Sequence, residues 1–372
     1  MGITISLCMI VKNEEFNLGN CLATAHDLMD EIIIVDTGST DKTIEIASKY
    51  TDKIYHFEWI NDFSAARNFS FSKATKEYIM WLDADDIINE ENRQKILSLK
   101  ETLDKDIDVV IMDYHYSFDD DGNPVVVQPR ERLLKRIKGF KWKNVVHETI
   151  DFPSIPGKVK AINSDIFISH MHKQADVAMS CFERNLQILE DSIEKGTFGL
   201  NELSYYGITL HGLGRHEEAI EELTKYFEWA RKTNTPPRID AYLTAYDIYL
   251  KQGDFESAYQ LLEENETYFI DKSEYHTTLG DLAMTTLEDY ESACYYYERA
   301  IKSKGTDFGG KYPAVKMQEY YYFKPYFNLG TCYTKLGKFK EAYKAFEKAA
   351  EYKETENLKA LIKKIKMLSE NF

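Results

Sequence analysis

Long hydrophobic runs are missing from this 372-residue chain. Its longest purely aliphatic stretch is the four residues 32–35 (IIIV), far below the ~20 apolar residues a membrane helix needs. No membrane span is expected. Cysteine is also scarce. Cys8, Cys21, Cys181, Cys294 and Cys332 are scattered, odd in number and free of any CxxC pair. That disfavours a zinc or disulfide framework and suits reduced thiols in the cytoplasm. Positive charge falls short as well: 46 Lys and Arg face 62 Asp and Glu, a net charge of −16. The excess is spread over both halves rather than gathered in a tail. Such a field repels nucleic acid and anionic membrane, so any bound anion needs a local basic patch or a metal ion to receive it. Residues 3–11 are apolar but carry no basic leader and no small-residue cleavage site, so they read as a buried strand and not a signal peptide. The loose myristoylation pattern at Gly2 and Ser6 is set aside for the same reason.

What the sequence does hold is two halves with different periods. In the first, strand-like runs at 3–11, 31–35, 53–57, 78–82 and 108–115 alternate with helical spacing at 16–26, 43–50, 63–74 and 91–103. Alternating strand and helix predicts βαβ units and a mainly parallel sheet covered on both faces. Ligands of such sheets bind beyond the carboxyl ends of the strands. A turn at residues 121–124 and short strands follow, and a last extended stretch runs over 158–170.

From about residue 176 the period becomes helical and the sequence repeats. Gly214-Arg215-His216-Glu217-Glu218-Ala219, Gly253-Asp254-Phe255-Glu256-Ser257-Ala258, Asp289-Tyr290-Glu291-Ser292-Ala293 and Gly337-Lys338-Phe339-Lys340-Glu341-Ala342 share one motif. Their alanines lie 39, 35 and 49 residues apart, just above the ~34 of a tetratricopeptide repeat. The chain therefore divides into an α/β domain over 1–175 and an all-α solenoid over 176–372, with about four repeats and a terminal helix at 358–368 on which two chains can pair. The repeats absorb most of the 26 tyrosines as packing residues, with a concave groove for a peptide or glycan as the other use. The long third interval leaves an extra loop at 303–317.

Acidic clusters sit where strands should end: Lys12-Asn13-Glu14-Glu15, then Asp36-Thr37-Gly38-Ser39-Thr40-Asp41, then Asp83-Ala84-Asp85-Asp86. Asp62-Phe63-Ser64-Ala65-Ala66-Arg67-Asn68 opens the helix before the last of these ends. Carboxylates one residue apart repel unless something positive joins them. A hard divalent cation with oxygen ligands would serve, and would let an acidic protein accept a diphosphate. Taken alone, Asp83 to Asp85 also reads as a solvated turn, and residues 36–41 as a bend with a helix cap. Carboxylates at two strand ends of one sheet are not explained by caps.

These motifs, with Val146-His147-Glu148 downstream, resemble family 2 glycosyltransferases of the GT-A nucleotide-sugar fold. Within that family they resemble the SunS-type peptide glycosyltransferases, which carry tetratricopeptide repeats. The resemblance implies a UDP-sugar donor, Mn²⁺ or Mg²⁺, and a peptide, protein or glycan acceptor. It implies that Val11, Asn13 and Glu14 line the nucleotide pocket, that Asp36 accepts from the uracil imide, and that Asp83 touches the ribose or the bridging region. Asp85 would ligate the metal and Arg67 would lie near sugar or phosphates. Glu148 occupies the place of the general base, with His147 as competitor, and inversion at the anomeric carbon follows because no second nucleophile is evident. His170, at the end of the last expected strand, would add a metal ligand, with a structural histidine as the alternative. His172 departs from the family pattern. Seven basic residues in 130–143, Arg132 foremost, answer the charge problem as a diphosphate shelf. A repeat scaffold whose α/β domain binds nucleotide without catalysis, or merely mediates protein contacts, is the alternative from another class.

Overall fold

The computed structural model describes residues 2–119, 122–171, 175–303, 316–317 and 319–371, with side chains omitted at 175–178, 316–317 and 371. The extra loop expected at 303–317 lies almost entirely outside the described residues, as does His172. The chain forms two compact units, Met1–Glu222 and Leu223–Phe372.

In the first unit, strands β1 (Ile5–Val11), β2 (Glu31–Asp36), β3 (Ile54–His56), β4 (Tyr78–Trp81), β5 (Asp86–Ile87), β6 (Val109–Phe118) and β7 (Pro124–Lys135) are followed by the small pair β8 (Trp142–Lys143) and β9 (Thr149–Ile150), and by β10 (Ala161–His170). The main sheet runs β3-β2-β1-β4-β7-β6-β10-β5. β1 pairs in parallel with β2 and β4, and β2 with β3. β7 is antiparallel to both β4 and β6. The alternation of charged residues around Arg130-Glu131-Arg132 hides this long strand from a search for apolar periods. Helices α1 (Leu18–Ala25), α2 (Thr43–Ala47), α3 (Phe63–Lys73) and α4 (Glu90–Thr102) cover the sheet. One apolar cluster gathers Leu7, Met9, Ile34 and Met80 with Leu18 and Leu22 of α1. A second gathers Cys8, Ile33, Val35 and Trp81 with Phe71 of α3 and Trp142. Successive residues of β1 thus feed opposite faces, as the period of two demands.

Glu31 ties four segments together beneath the sheet. Its carboxylate accepts from Ser6 Oγ at 2.5 Å, Lys53 Nζ at 2.5 Å, and the backbone N and Oγ1 of Thr75 at 2.8 and 2.9 Å. Burial pushes this carboxyl up, but those donors outweigh it and bring it down to about 2.

After β10, α5 (Ala175–Glu194) and α6 (Leu200–Gly212) complete the first unit, and α7 (His216–Lys232) starts within it. The second unit continues with helix pairs α8 (Ile239–Gln252) and α9 (Phe255–Phe269), α10 (Ser273–Thr285) and α11 (Tyr290–Lys302), then α12 (Lys324–Lys335) and α13 (Phe339–Ala350), and ends in α14 (Glu356–Asn371). The four motif alanines, Ala219, Ala258, Ala293 and Ala342, are all fully buried. Small residues let the paired helices close up: a Cβ on Gly280 would stand 2.6 Å from the Tyr297 ring, and one on Gly330 2.8 Å from Phe346. Tyr242, Tyr246 and Tyr297 are core residues, while Tyr295 and Tyr322 are exposed.

Replacing Glu31 with Gln should cost about 2 kcal/mol at neutral pH, because buried Ser6 and the more exposed Lys53 and Thr75 lose a charged acceptor. The folded carboxyl is depressed below its unfolded value of about 4.3, so its contribution is present above that value and fades as pH falls toward about 2. Urea melts of both proteins should show a full gap at pH 6 that closes in this acid window. A gap independent of pH would contradict the assignment.

Candidate active site

The carboxyl ends of β2, β1 and β4 lie side by side. Val11 is in register with Asp36, and Cys8 with Trp81. Two loops leave this edge and are sewn to each other. Asn13, at φ 55°, accepts from Thr40 N through Oδ1 at 2.8 Å, and its own N donates to Ser39 Oγ at 3.0 Å. Glu14 N donates to Thr43 Oγ1 at 2.7 Å. Asp36 accepts from Gly38 N and Ser39 N at 3.1 Å, and Gly38 supplies φ 103° for the bend. Buried Val11, exposed Asn13, half-buried Glu14 and buried Asp36 therefore form one preorganised loop pair.

A second cluster centres on Arg67. Asp62 caps α3 by accepting from Ala65 N at 2.9 Å. Ser64 Oγ then donates to Asn144 O at 2.5 Å, while Asn68 exchanges two hydrogen bonds with the backbone of Trp142, at 2.9 and 2.8 Å. These bonds draw the 142–148 segment against α3, one turn from Arg67. Arg67 Nε donates to Glu148 Oε1 at 2.5 Å and its Nη2 to Asp83 Oδ1 at 2.8 Å. The guanidinium carbon lies 5.0 Å from the ring centres of both Trp81 and Trp142. Burial pushes the Asp83 carboxyl up, but the charges of Arg67 and Arg132 overcome that and hold it well below the usual carboxylate range. His147 adopts φ 52°, and its exposed ring stacks on Tyr205 of α6 at 3.8 Å between centroids.

The third cluster is acidic and lies deeper. Asp86, fully buried, accepts from Tyr114 Oη at 2.8 Å through Oδ1, and through Oδ2 from Arg132 Nη1 at 3.0 Å and Asp83 N at 2.9 Å. β5 pairs Asp86 with His170. His170 Nδ1 stands 2.7 Å from Tyr114 Oη, 3.4 Å from Asp85 Oδ1 and 3.8 Å from Asp86 Oδ1. Burial pulls this imidazole down, yet the two aspartates prevail and push it up to about 9. Burial first, then the Asp86 and Asp83 charges, push the Tyr114 phenol well above its usual range.

The Glycosyl transferase family 2 model matches residues 6–156, from β1 to just beyond Glu148. Residues 6–156 form a family 2 glycosyltransferase domain. Tetratricopeptide repeat models match 206–233 and 323–355. The chain is similar to the SPbeta prophage-derived glycosyltransferase SunS of Bacillus subtilis (strain 168), 29% identical over 273 residues covering 72% of this chain and 63% of that relative. It thus spans under two thirds of that relative's length. It is also similar to the putative glycosyltransferase EpsH of the same organism, 27% identical over 194 residues, 45% of this chain and 55% of EpsH. Among solved structures, a thermophilic TPR protein of Thermus thermophilus is 17% identical with a TM-score of 0.35, covering 51% of this chain and 93% of that one.

Within the family 2 domain, the placement of Arg132 corrects one sequence expectation. Its side chain is fully buried, lies 3.8 Å from the Trp81 ring centre and 4.4 Å from that of Tyr114, and pairs with Asp86. Its Nε and Nη2 find no hydrogen-bond partner among the described residues. Position 132 points inward because β7 is a central strand, so Arg132 is an internal counter-ion and no part of an exposed shelf. The rest of the basic stretch disperses too: Lys138 pairs with Asp108 at 3.1 Å, Lys143 with Asp151 at 3.2 Å, and Arg136 donates to Lys76 O at 2.6 Å. Arg130, 5.0 Å from the Trp81 ring centre and 3.3 Å from Glu148 O, stays beside the site.

Among the described residues one group could hold a metal ion: Asp85, Asp86 and His170, whose ligand atoms lie within 4.8 Å of one another. Hard carboxylate oxygens with one imidazole nitrogen suit Mn²⁺ or Mg²⁺, so the residues fit such an ion. Asp86, already engaged by Tyr114, Arg132 and Asp83 N, serves as support behind Asp85 and His170. Asp86, Tyr114 and the two tryptophans were not singled out from sequence. The even-numbered alternation Val110, Met112, Tyr114 along β6, all buried, was the available signal for Tyr114.

Replacing Arg67 with Met should destabilise the first unit by about 3–5 kcal/mol, because Asp83 and Glu148 would lose their shared counter-charge. Arg67→Lys should recover only part, having no two-pronged fork. A loss below about 1 kcal/mol in denaturant melts would show that the carboxylates do not depend on Arg67.

Proposed function

We propose that the chain is a metal-dependent inverting glycosyltransferase that moves a sugar from a UDP-sugar to an acceptor side chain. The observation that carries this reading is the meeting of Asp83 and Glu148 on Arg67, beside Asp85 and His170, at the strand ends of a family 2 domain.

Asp36 accepts from the uracil N–H, and Val11, Asn13 and Glu14 form the wall against the base. Asp83 faces the ribose. Asp85 and His170 hold the cation, which supplies neutralisation of the departing diphosphate. Glu148 takes the proton from the attacking hydroxyl or thiol as the new bond to the anomeric carbon forms and the bond to the diphosphate oxygen breaks. Attack opposite the leaving group inverts that centre. His147, stacked on Tyr205, orients the Glu148 segment and is not itself the base. Arg67 positions Glu148 and Asp83 together, so the base and the donor-side carboxylate move as one.

The acceptor reading rests on the tetratricopeptide repeats, which suit a peptide or protein bound along the helical array; a glycan acceptor and a homodimer through α14 belong to the same proposal. A cytoplasmic location agrees with five unpaired cysteines. No helix of the described residues is long and apolar enough to cross a membrane.

With Mn²⁺ and no acceptor, a panel of UDP-sugars should reveal one from which UDP is released slowly above background. Asp85→Ala should abolish that release while the melting temperature stays within a few degrees. Glu148→Gln should slow transfer to a true acceptor by about 10²- to 10⁴-fold. Failure to bind or hydrolyse any UDP-sugar would contradict the enzyme reading and favour a nucleotide-blind repeat scaffold.

A further inference from the structure

We propose that Cys294 and Cys332 form a redox site, which a peroxide closes into a reversible disulfide that ties the α10 and α11 hairpin to the α12 and α13 hairpin. The site lies within the second unit and stands apart from the glycosyl-transfer reading.

Helices α11 and α12 pack against each other, and their side-chain contacts fix the register. The Lys335 ammonium lies 5.9 Å from the Tyr290 ring centre, and Asn328 Nδ2 donates to Tyr297 Oη at 3.2 Å. Seven residues forward along α11 thus correspond to seven back along α12, so the two helices run antiparallel. Between these contacts, four residues on from Tyr290 is Cys294, and three back from Lys335 is Cys332. The register sets the two cysteines face to face. They share one apolar cluster with Ala293, Tyr297 and Leu329, and their thiols are hydrogen-bonded to each other. Axes of packed helices lie about 8–10 Å apart with each Cα about 2.3 Å from its axis, which brings facing Cα atoms to about 3.5–5.5 Å. That range overlaps the ~4.4–6.8 Å that a disulfide spans. Cys8 and Cys21, by contrast, fall in separate clusters of the first unit, where their thiols donate to Ser70 O at 3.5 Å and Asp83 O at 3.4 Å.

The two thiols divide the chemistry. Cys332 has no exposed surface, whereas Cys294 keeps 7%. The hydrogen bond from Cys332 draws the Cys294 thiol below its usual value against the effect of burial, and the Lys338 charge adds to this. The same bond, then burial, pushes the Cys332 thiol up. The thiolate is the reactive form, so Cys294 is the attacking group. Its Sγ attacks hydrogen peroxide: an S–O bond forms, the O–O bond breaks, and the departing hydroxide takes the thiol proton as water, leaving a sulfenic acid. Cys332 Sγ then attacks Cys294 Sγ. The S–S bond forms, the S–O bond breaks, and the second hydroxide leaves with the Cys332 proton. Two thiols are oxidised to one disulfide while one peroxide is reduced to two waters, and a dithiol reverses the change. Neighbouring repeats hold each other only through their shared interface. A covalent tie between α11 and α12 therefore stops the terminal helices from opening alone.

The full chain, freed of reductant, treated with hydrogen peroxide and then alkylated, gives the readout. Digestion without reduction should yield one linked peptide pair, joining Cys294 to Cys332. Both cysteines recovered as alkylated thiols, Cys294 carried to higher oxides without a link, or a bond to another cysteine would overturn the proposal. Amide hydrogen exchange in α12 and α13 should slow by at least about 10-fold in the oxidised protein and recover with dithiothreitol. Exchange unchanged by the bond would overturn the tie between hairpins. In Cys332→Ala the link should vanish and dimedone should label Cys294; failure of Cys294 to react would overturn its part as the attacking thiol. Should that variant fail to fold, the peptide map and exchange of the wild-type chain still decide.

Discussion

Like-charge repulsion at one sheet edge is the constraint on which the rest of this site depends. Asp83, Asp85, Asp86 and Glu148 all lie at or beside the carboxyl end of β4, in a protein that is already acidic. Two buried guanidiniums make the arrangement tolerable. Arg67 spans Asp83 and Glu148, and Arg132 lies behind Asp86. Each is flanked by aromatic faces, Trp81 and Trp142 for Arg67, Trp81 and Tyr114 for Arg132. Trp81 meets both cations, its ring centre 5.0 Å from the Arg67 guanidinium carbon and 3.8 Å from that of Arg132. Asp85 faces the His170 ring at 3.4 Å.

The same constraint explains why so much sequence around Arg67 is committed. Asp62 starts the helix, Ser64 and Asn68 hold the 142–148 segment, and Arg67 then reaches across to Glu148. The helical extension takes part as well. Val146 packs with Ile188 and Leu189 of α5, Trp59 and Phe63 border that cluster, and Tyr205 of α6 carries the His147 ring. The compact first unit accordingly runs to Glu222, beyond the change from strand to helix between His170 and Ala175.

Much of this was legible in the sequence for identifiable reasons. Parallel strands buried on both faces leave plain apolar runs, which is why β1, β2 and β4 were visible to within a residue or two. The repeat alanines were visible because only small residues fit where the helices meet. What could not be read was whatever depends on a long-range partner. β7 carries arginines whose charges are compensated by residues far away in the chain, so its burial left no periodic trace. Arg132 in a basic stretch looks like a surface residue until Asp86 is seen beside it. Likewise Glu148 could be assigned a place in the chemistry, but its pairing with Arg67, 81 positions earlier, could not be foreseen. Tyr114 carries no motif of its own and Asp86 is only the last member of an acidic cluster; their meaning comes from meeting His170.

The account turns on a divalent cation shared by Asp85 and His170 in front of the two arginine-held groups. Crystals grown with Mn²⁺ and UDP, measured at the manganese absorption edge, test it most directly. An anomalous peak at ligand distance from an Asp85 carboxylate oxygen and a His170 ring nitrogen, touching the diphosphate, is the predicted result. A bound UDP whose diphosphate is met by protein side chains alone, or a manganese peak away from Asp85, would contradict it.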